Sequence, residues 1–142
     1  MRMSLSEYLA PLVGRMAFGW FFLSQVVLYG GDWDKTVLKM MVAGIPSAPF
    51  VLAVTLFMLV LGSLSLILGF FARYGALLLF AVTIVAAVLL HNYWQIGDNP
   101  VLRQTEYELF GCNVAIAGGL LLLVGQGAGP FAVDNRQAKG RK

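Results

Sequence analysis

The chain has 142 residues, of which 59% are hydrophobic and 12% charged, and its net charge is +3. A soluble domain carries roughly 25% charged residues, so these charges are too few to cover a water-soluble globule. The composition excludes a soluble enzyme, a disordered tail and a nucleic-acid-binding protein. It predicts a protein whose main solvent is lipid. A single cysteine, Cys112, excludes an intramolecular disulfide.

Four stretches are long and apolar enough to cross a bilayer, which takes about 20 residues. The predicted helices cover about residues 8–29, 46–71, 74–94 and 106–124. The predicted fold class is therefore an all-α integral membrane protein, a four-transmembrane-helix bundle over residues 1–130. Residues 131–142 are predicted to form a basic, flexible cytoplasmic tail.

The first loop between spans contains a further helical pattern. Trp33, Val37, Met40 and Met41 recur at the spacing of one helix face. This pattern predicts a short amphipathic helix at the membrane interface, ended by the Gly44–Pro46 run.

Cations near the helix ends predict the orientation. Six of them fall on the side that holds both termini, and three fall on the other side. The six are Arg2, Arg73, Arg136, Lys139, Arg141 and Lys142, and the three are Lys35, Lys39 and Arg103. The majority side is predicted to be the cytoplasm of a prokaryote, with the chain crossing the plasma membrane several times.

Two polar residues of the first span are candidates for function, because polar groups are costly in lipid. Arg15 either anchors the helix by reaching the headgroups or pairs with a buried acid or an anionic ligand. Gln25 either hydrogen-bonds another helix or lines a pocket.

The third span ends with His91 and Trp94. They are either a hydrated end residue and part of an aromatic belt, or hydrogen-bonding and aromatic partners of a polar ligand head. A lone histidine does not build a metal site, so no metal is predicted.

The fourth span carries a polar stripe and a small-residue stripe. Glu106, Phe110 and Asn113 share one face, and the amide of Asn113 needs a partner in another helix, water or a ligand. The pattern of small residues that lets another helix approach closely comprises Gly111, Ala115 and Gly119.

Several runs together resemble the DoxX family of small prokaryotic membrane proteins, over nearly the whole chain. They are Gly14-Arg15, Gly44–Pro46, Leu68–Arg73, Leu90–Trp94, Asp98–Pro100, Phe110–Leu121 and Gly129–Asp134. The resemblance implies a four-helix bundle and an association with redox chemistry.

The leading hypothesis is an accessory or quinone-handling membrane subunit of a redox complex, without a catalytic centre of its own. No intrinsic cofactor is predicted, although a quinone or a lipid could bind. The candidate ligand-binding residues are Arg15, Gln25, His91, Trp94, Glu106, Phe110 and Asn113.

Two alternatives remain open. One is a small carrier or channel, and the other is a structural assembly protein that docks through its small-residue stripe. The expected partners are membrane lipids and either other subunits of a redox complex or further copies of the chain, but not nucleic acid.

Overall fold

The structure, a computed structural model, describes residues 5–127 together with Gly129 and Ala132. Across these residues it is helical. The elements are α1 (Leu5–Gly31), α2 (Trp33–Val42), α3 (Ala48–Leu68), α4 (Ala72–Leu90), a 3-10 turn (Tyr93–Gln95) and α5 (Pro100–Gln126). Within this part of the chain, α1, α3, α4 and α5 are long and apolar enough to span a membrane. The predicted fold class is confirmed. The predicted tail falls outside the described residues, except for Ala132, which is buried.

Two boundaries of the spanning helices differ from the prediction by more than three residues. Helix α5 begins at Pro100, six residues earlier than expected, because the side chain of Asn99 accepts a hydrogen bond from the backbone N–H of Leu102 at 3.0 Å and caps the helix. Proline also suits this first position. Helix α4 ends at Leu90, and the chain continues as a 3-10 turn at Tyr93–Gln95 rather than as a longer helix.

The four spanning helices pack as antiparallel neighbours. Helix α1 packs on α3, α3 on α4, and α4 on α5, while the ring of Phe18 in α1 lies against Gly119 of α5. Glycines bring the helices together: a Cβ added to Gly62 in α3 would lie 2.5 Å from Cγ of Leu79 in α4. The four helices therefore form a bundle with a continuous apolar interior.

The turn between α3 and α4 closes one end of the bundle, which we call the hairpin end. Gly69 has a φ of +67°. Its N–H donates to Leu66 O, and the N–H of Phe70 donates to Ser65 O, as in a Schellman motif. The hydroxyl of Ser65 also donates to Phe70 O at 2.7 Å. The opposite end, where α4 finishes and α5 begins, is the His91 end.

Helix α2 lies at the His91 end and confirms the predicted short helix. Its Met40 is buried against Ala48 and Leu52 of α3. The outer surface of the spanning helices is apolar, with exposed Trp20 and Phe57 among many others. A surface of this kind contacts lipid, and the chain is a multi-pass membrane protein.

Candidate functional site

A pair of polar side chains joins α4 to α5 at the His91 end. Nδ1 of His91 lies 2.6 Å from Oε2 of Glu106, and the two side chains are 13% and 16% exposed. When Glu106 is ionised its carboxylate can only accept, so Nδ1 of His91 carries a hydrogen and donates a hydrogen bond to it. This contact ties the end of one spanning helix to the second turn of the next and fixes the orientation of the imidazole.

Next to this pair, four aromatic side chains pack into what we call the aromatic wall: Tyr93, Trp94, Tyr107 and Phe110. The ring of Tyr93 meets Tyr107 at a centroid distance of 5.2 Å and Phe110 at 5.6 Å. Trp94 meets Phe110 at 5.8 Å. All three contacts are edge-to-face, the geometry that aromatic quadrupoles favour. The 3-10 turn after α4 is therefore held against α5 by ring packing as well as by the His91–Glu106 contact.

A groove opens beside this wall, between the 3-10 turn and the first two turns of α5. Its volume is about 430 Å³, within the range of small-ligand sites. It is lined by Tyr93, Gly97, Pro100, Arg103, Gln104 and Tyr107. The wall supplies apolar ring surface, and the lining supplies hydrogen-bonding groups.

Four of the candidate residues meet at this end, and three do not join them. His91, Trp94, Glu106 and Phe110 lie together. Asn113 donates instead to the backbone carbonyl of Leu109 at 2.8 Å, so this donor is satisfied within its own helix.

The other two candidates lie in α1. Gln25 is half-buried, and within the described residues its side chain has no hydrogen bond. Arg15 is 1% exposed, and its guanidinium lies against Gly69 and Ala132 at the hairpin end. It is therefore separated from His91 by most of the bundle length.

The small-residue stripe packs against another helix at only one of its three residues. Gly119 packs on Phe18, whereas an added Cβ on Gly111 would meet nothing within 4 Å, and Ala115 is exposed. A second helix at Gly111 and Ala115 stays a prediction, as does a homo-oligomer.

The sequence interpretation named none of the six residues that line the groove as a candidate site residue. Pro100, Arg103, Gln104 and Tyr107 follow one helix face at i, i+3, i+4 and i+7. The signal was present, but the predicted helix began only at residue 106. The Asn99-Pro100 pair, a capping residue followed by a first-turn proline, is the feature that would have revealed it. In the described part of the chain, no group of three or more His, Cys, Asp or Glu side chains could hold a metal ion.

Comparison with known proteins gives one family. The model of the SURF4 family matches residues 24–139. The chain is 34% identical over 104 residues to inner membrane protein YphA of Escherichia coli (strain K12), covering 73% of each chain.

Two yeast relatives are also similar. The chain is 32% identical over 72 residues to the Surfeit locus protein 4 homolog of Schizosaccharomyces pombe, and 28% identical over 83 residues to the ER-derived vesicles protein ERV29 of Saccharomyces cerevisiae. These matches cover 50% and 58% of this chain, but only 24% and 26% of the two relatives. No solved structure matches the chain.

These findings correct two predictions. The resemblance to the DoxX family is wrong, because the family that matches is SURF4. The redox-complex subunit is wrong for the same reason, and the predicted quinone loses its basis. The carrier or channel and the structural assembly protein, which were the alternatives, gain no support from these relatives. With most of its length matched by the family model and a close bacterial relative, the chain belongs to the SURF4 family.

Proposed function

We propose that the chain is a membrane binding protein that captures its ligand in the groove at the His91 end. The observation that carries this proposal is the open groove beside the aromatic wall, at the end where the His91–Glu106 contact joins α4 to α5. His91 and Glu106 are occupied with each other and do not line the groove, whereas polar groups that do line it remain available.

The position of the groove along the membrane normal supports the same proposal. His91 of α4 meets Glu106 of α5 at one end, and Arg73 of α4 lies against Gly127 at the other. Residues 100–105 of α5 therefore extend beyond α4, by about 9 Å at 1.5 Å per residue. This places the groove at the boundary of the hydrocarbon, where a ligand can approach from water or from the lipid headgroups.

The location of the protein is a second part of the proposal. YphA is named as an inner membrane protein, and the excess of cations on the terminal side favours cytoplasmic termini in a prokaryotic plasma membrane. The groove then faces away from the cytoplasm. In a Cys112→Ser background, an impermeant maleimide added to intact cells should label Gly97→Cys but not Tyr74→Cys. The reverse labelling would contradict this orientation.

The binding function is tested by removing the groove wall. Tyr107→Ala is compared with Tyr74→Ala, an exposed tyrosine at the hairpin end. Each protein is extracted from its own membrane in polymer-bounded discs, and the bound small molecules and lipids are measured by mass spectrometry. At least one near-stoichiometric species should accompany the wild type and Tyr74→Ala and be depleted in Tyr107→Ala. Equal contents in all three proteins would contradict the proposal.

A further inference from the structure

The groove contains polar groups that form neither a hydrogen bond nor an ion pair among the described residues. Within the described residues, the guanidinium of Arg103 forms neither an ion pair nor a hydrogen bond, and the hydroxyls of Tyr93 and Tyr107 form no hydrogen bond. By contrast, the amide of Gln104 donates to Oε1 of Glu108 at 2.8 Å. One permanently charged guanidinium and two hydroxyl groups are thus available to an anionic group such as a phosphate.

The charges around the groove argue against a ligand that is purely anionic. Asp98 follows the groove residue Gly97, and Glu108 lies beside Gln104. An ammonium group would be favoured by these carboxylates and by the ring faces of the tyrosines. The groove therefore matches a ligand that carries one positive and one negative charge a few bonds apart.

The surroundings of the groove indicate that this ligand also has an apolar part. Trp94 is half-exposed on the wall, and Val101, in the first turn of α5, is largely exposed. Both lie where the hydrocarbon begins, at the depth of lipid headgroups and glycerol. A ligand seated in the groove can therefore lay an apolar chain along α5 without leaving the bilayer.

We propose that the groove binds the headgroup of a zwitterionic phospholipid. Arg103 and the tyrosine hydroxyls hold the phosphate, and the ring faces and nearby carboxylates hold the ammonium. This inference rests on the proposed binding function and assigns its ligand class. The same headgroup chemistry exists in a soluble form, phosphoethanolamine, so the test separates the two sources.

The test uses the full chain in nanodiscs made from equal amounts of phosphatidylethanolamine and phosphatidylglycerol, followed by native mass spectrometry of the retained lipids. The wild type should retain phosphatidylethanolamine in preference. Arg103→Gln should lower the retention of both lipids by about tenfold, the effect of losing one charge-assisted hydrogen bond, because the phosphate that Arg103 holds is common to both. Asp98→Asn removes a carboxylate that favours the ammonium and should reduce the preference for phosphatidylethanolamine. Lys39→Gln removes the same charge from α2 on the same side of the membrane and should leave both the retention and the preference unchanged. Gel filtration and circular dichroism establish that each variant is folded.

The soluble form is tested with a single fluorescent reporter. In Trp20→Phe/Trp33→Phe, Trp94 is the remaining tryptophan. Phosphoethanolamine should leave its emission unchanged, whereas transfer from phosphatidylglycerol to phosphatidylethanolamine nanodiscs should shift it. A saturable shift with phosphoethanolamine and none with the lipid would overturn the lipid assignment.

Further outcomes distinguish a failure of the headgroup assignment from a failure of the proposed binding function. Equal retention of both lipids, or equal losses in Arg103→Gln and Lys39→Gln, would overturn the headgroup assignment. If Tyr107→Ala still depletes another bound species, the binding function stands and only the ligand class is wrong. If Tyr107→Ala changes nothing either, both proposals fail together.

Discussion

The chain buries one arginine at the hairpin end and leaves another in an open groove at the His91 end. Arg15 is 1% exposed and packs under the α3–α4 turn, next to Gly69 and the buried Ala132. Arg103 is exposed, and its surroundings are a groove of about 430 Å³. The same type of side chain is therefore buried at one end and exposed at the other.

From this difference we assign the hairpin end to stability and the His91 end to binding. At the hairpin end, close glycine contacts and a hydrogen-bonded turn leave little room for change. At the His91 end, the 3-10 turn and the first turns of α5 are joined to the bundle by one polar contact and a few ring contacts. Regions with few buried contacts open at low free-energy cost, and binding sites are commonly drawn from them. We expect variants at the two ends to have effects of different size and kind.

The largest loss of stability is expected for Gly69→Val. Its φ of +67° strains any β-branched side chain, and its Cβ would collide with the Arg15 guanidinium and Ala132. Strain and overpacking together should lower the free energy of unfolding by at least about 3 kcal/mol, measured by reversible unfolding in mixed micelles.

Gly44→Val is the matched control, since Gly44 has a φ of +79° but nothing within 4 Å of an added Cβ. It should lose about 1–2 kcal/mol, from strain alone. Equal losses in the two variants would show that packing around Arg15 does not contribute.

A smaller loss is expected for Gly75→Ala near the hairpin end. The added methyl would collide with the side chain of Ser65 and lie 3.2 Å from the carbonyl of Gly62. It should destabilise the protein by about 1–3 kcal/mol. Gly111→Ala, where a methyl meets nothing within 4 Å, should be neutral or slightly stabilising through helix propensity. Destabilisation by Gly111→Ala would reveal a partner helix on that face.

The His91–Glu106 contact is expected to contribute about 1–2 kcal/mol, as a largely buried, charge-assisted hydrogen bond. A double-mutant cycle of His91→Ala and Glu106→Ala measures the coupling free energy in the same unfolding assay. The control cycle uses Lys35 and Asp32, an ion pair at 3.1 Å whose side chains are 82% and 54% exposed. Water screens this pair, so its coupling should be indistinguishable from zero. Similar couplings in both cycles would contradict the role assigned to burial.

The four spans could be predicted because runs of about 20 apolar residues have few other stable solutions. The start of α5 could not, because hydropathy does not distinguish a polar helical turn outside the membrane from a loop. Residues 100–105 carry Arg103 and Gln104 and were therefore taken as a loop. Half of the residues that line the groove lie there, so the error at this boundary also removed Pro100, Arg103 and Gln104 from the predicted site.

The role of Arg15 could not be decided from the sequence for a different reason. Whether a guanidinium reaches the headgroups or packs under a turn depends on residues far away in the chain, here Gly69 and Ala132. The wrong family was predicted for a related reason. Small residues in helices, such as those of the Phe110–Leu121 run, suit close packing in many helical bundles. They discriminate poorly between families of similar architecture.

The smallest global effect is expected for Asn99→Ala, which removes the cap that starts α5 at the groove. The loss of about 1 kcal/mol should be confined to the first turn, because this turn has little tertiary packing. Amide exchange at Leu102 and Arg103 should then accelerate about fivefold, while the unfolding midpoint of the bundle stays unchanged. Asn92→Ala is the control, since the side chain of Asn92 bonds only that of Gln95 among the described residues. It should leave exchange at Leu102 unchanged. A lowered global midpoint in Asn99→Ala would mean that the first turn of α5 is coupled to the bundle core, and the contrast between the two ends would then fail.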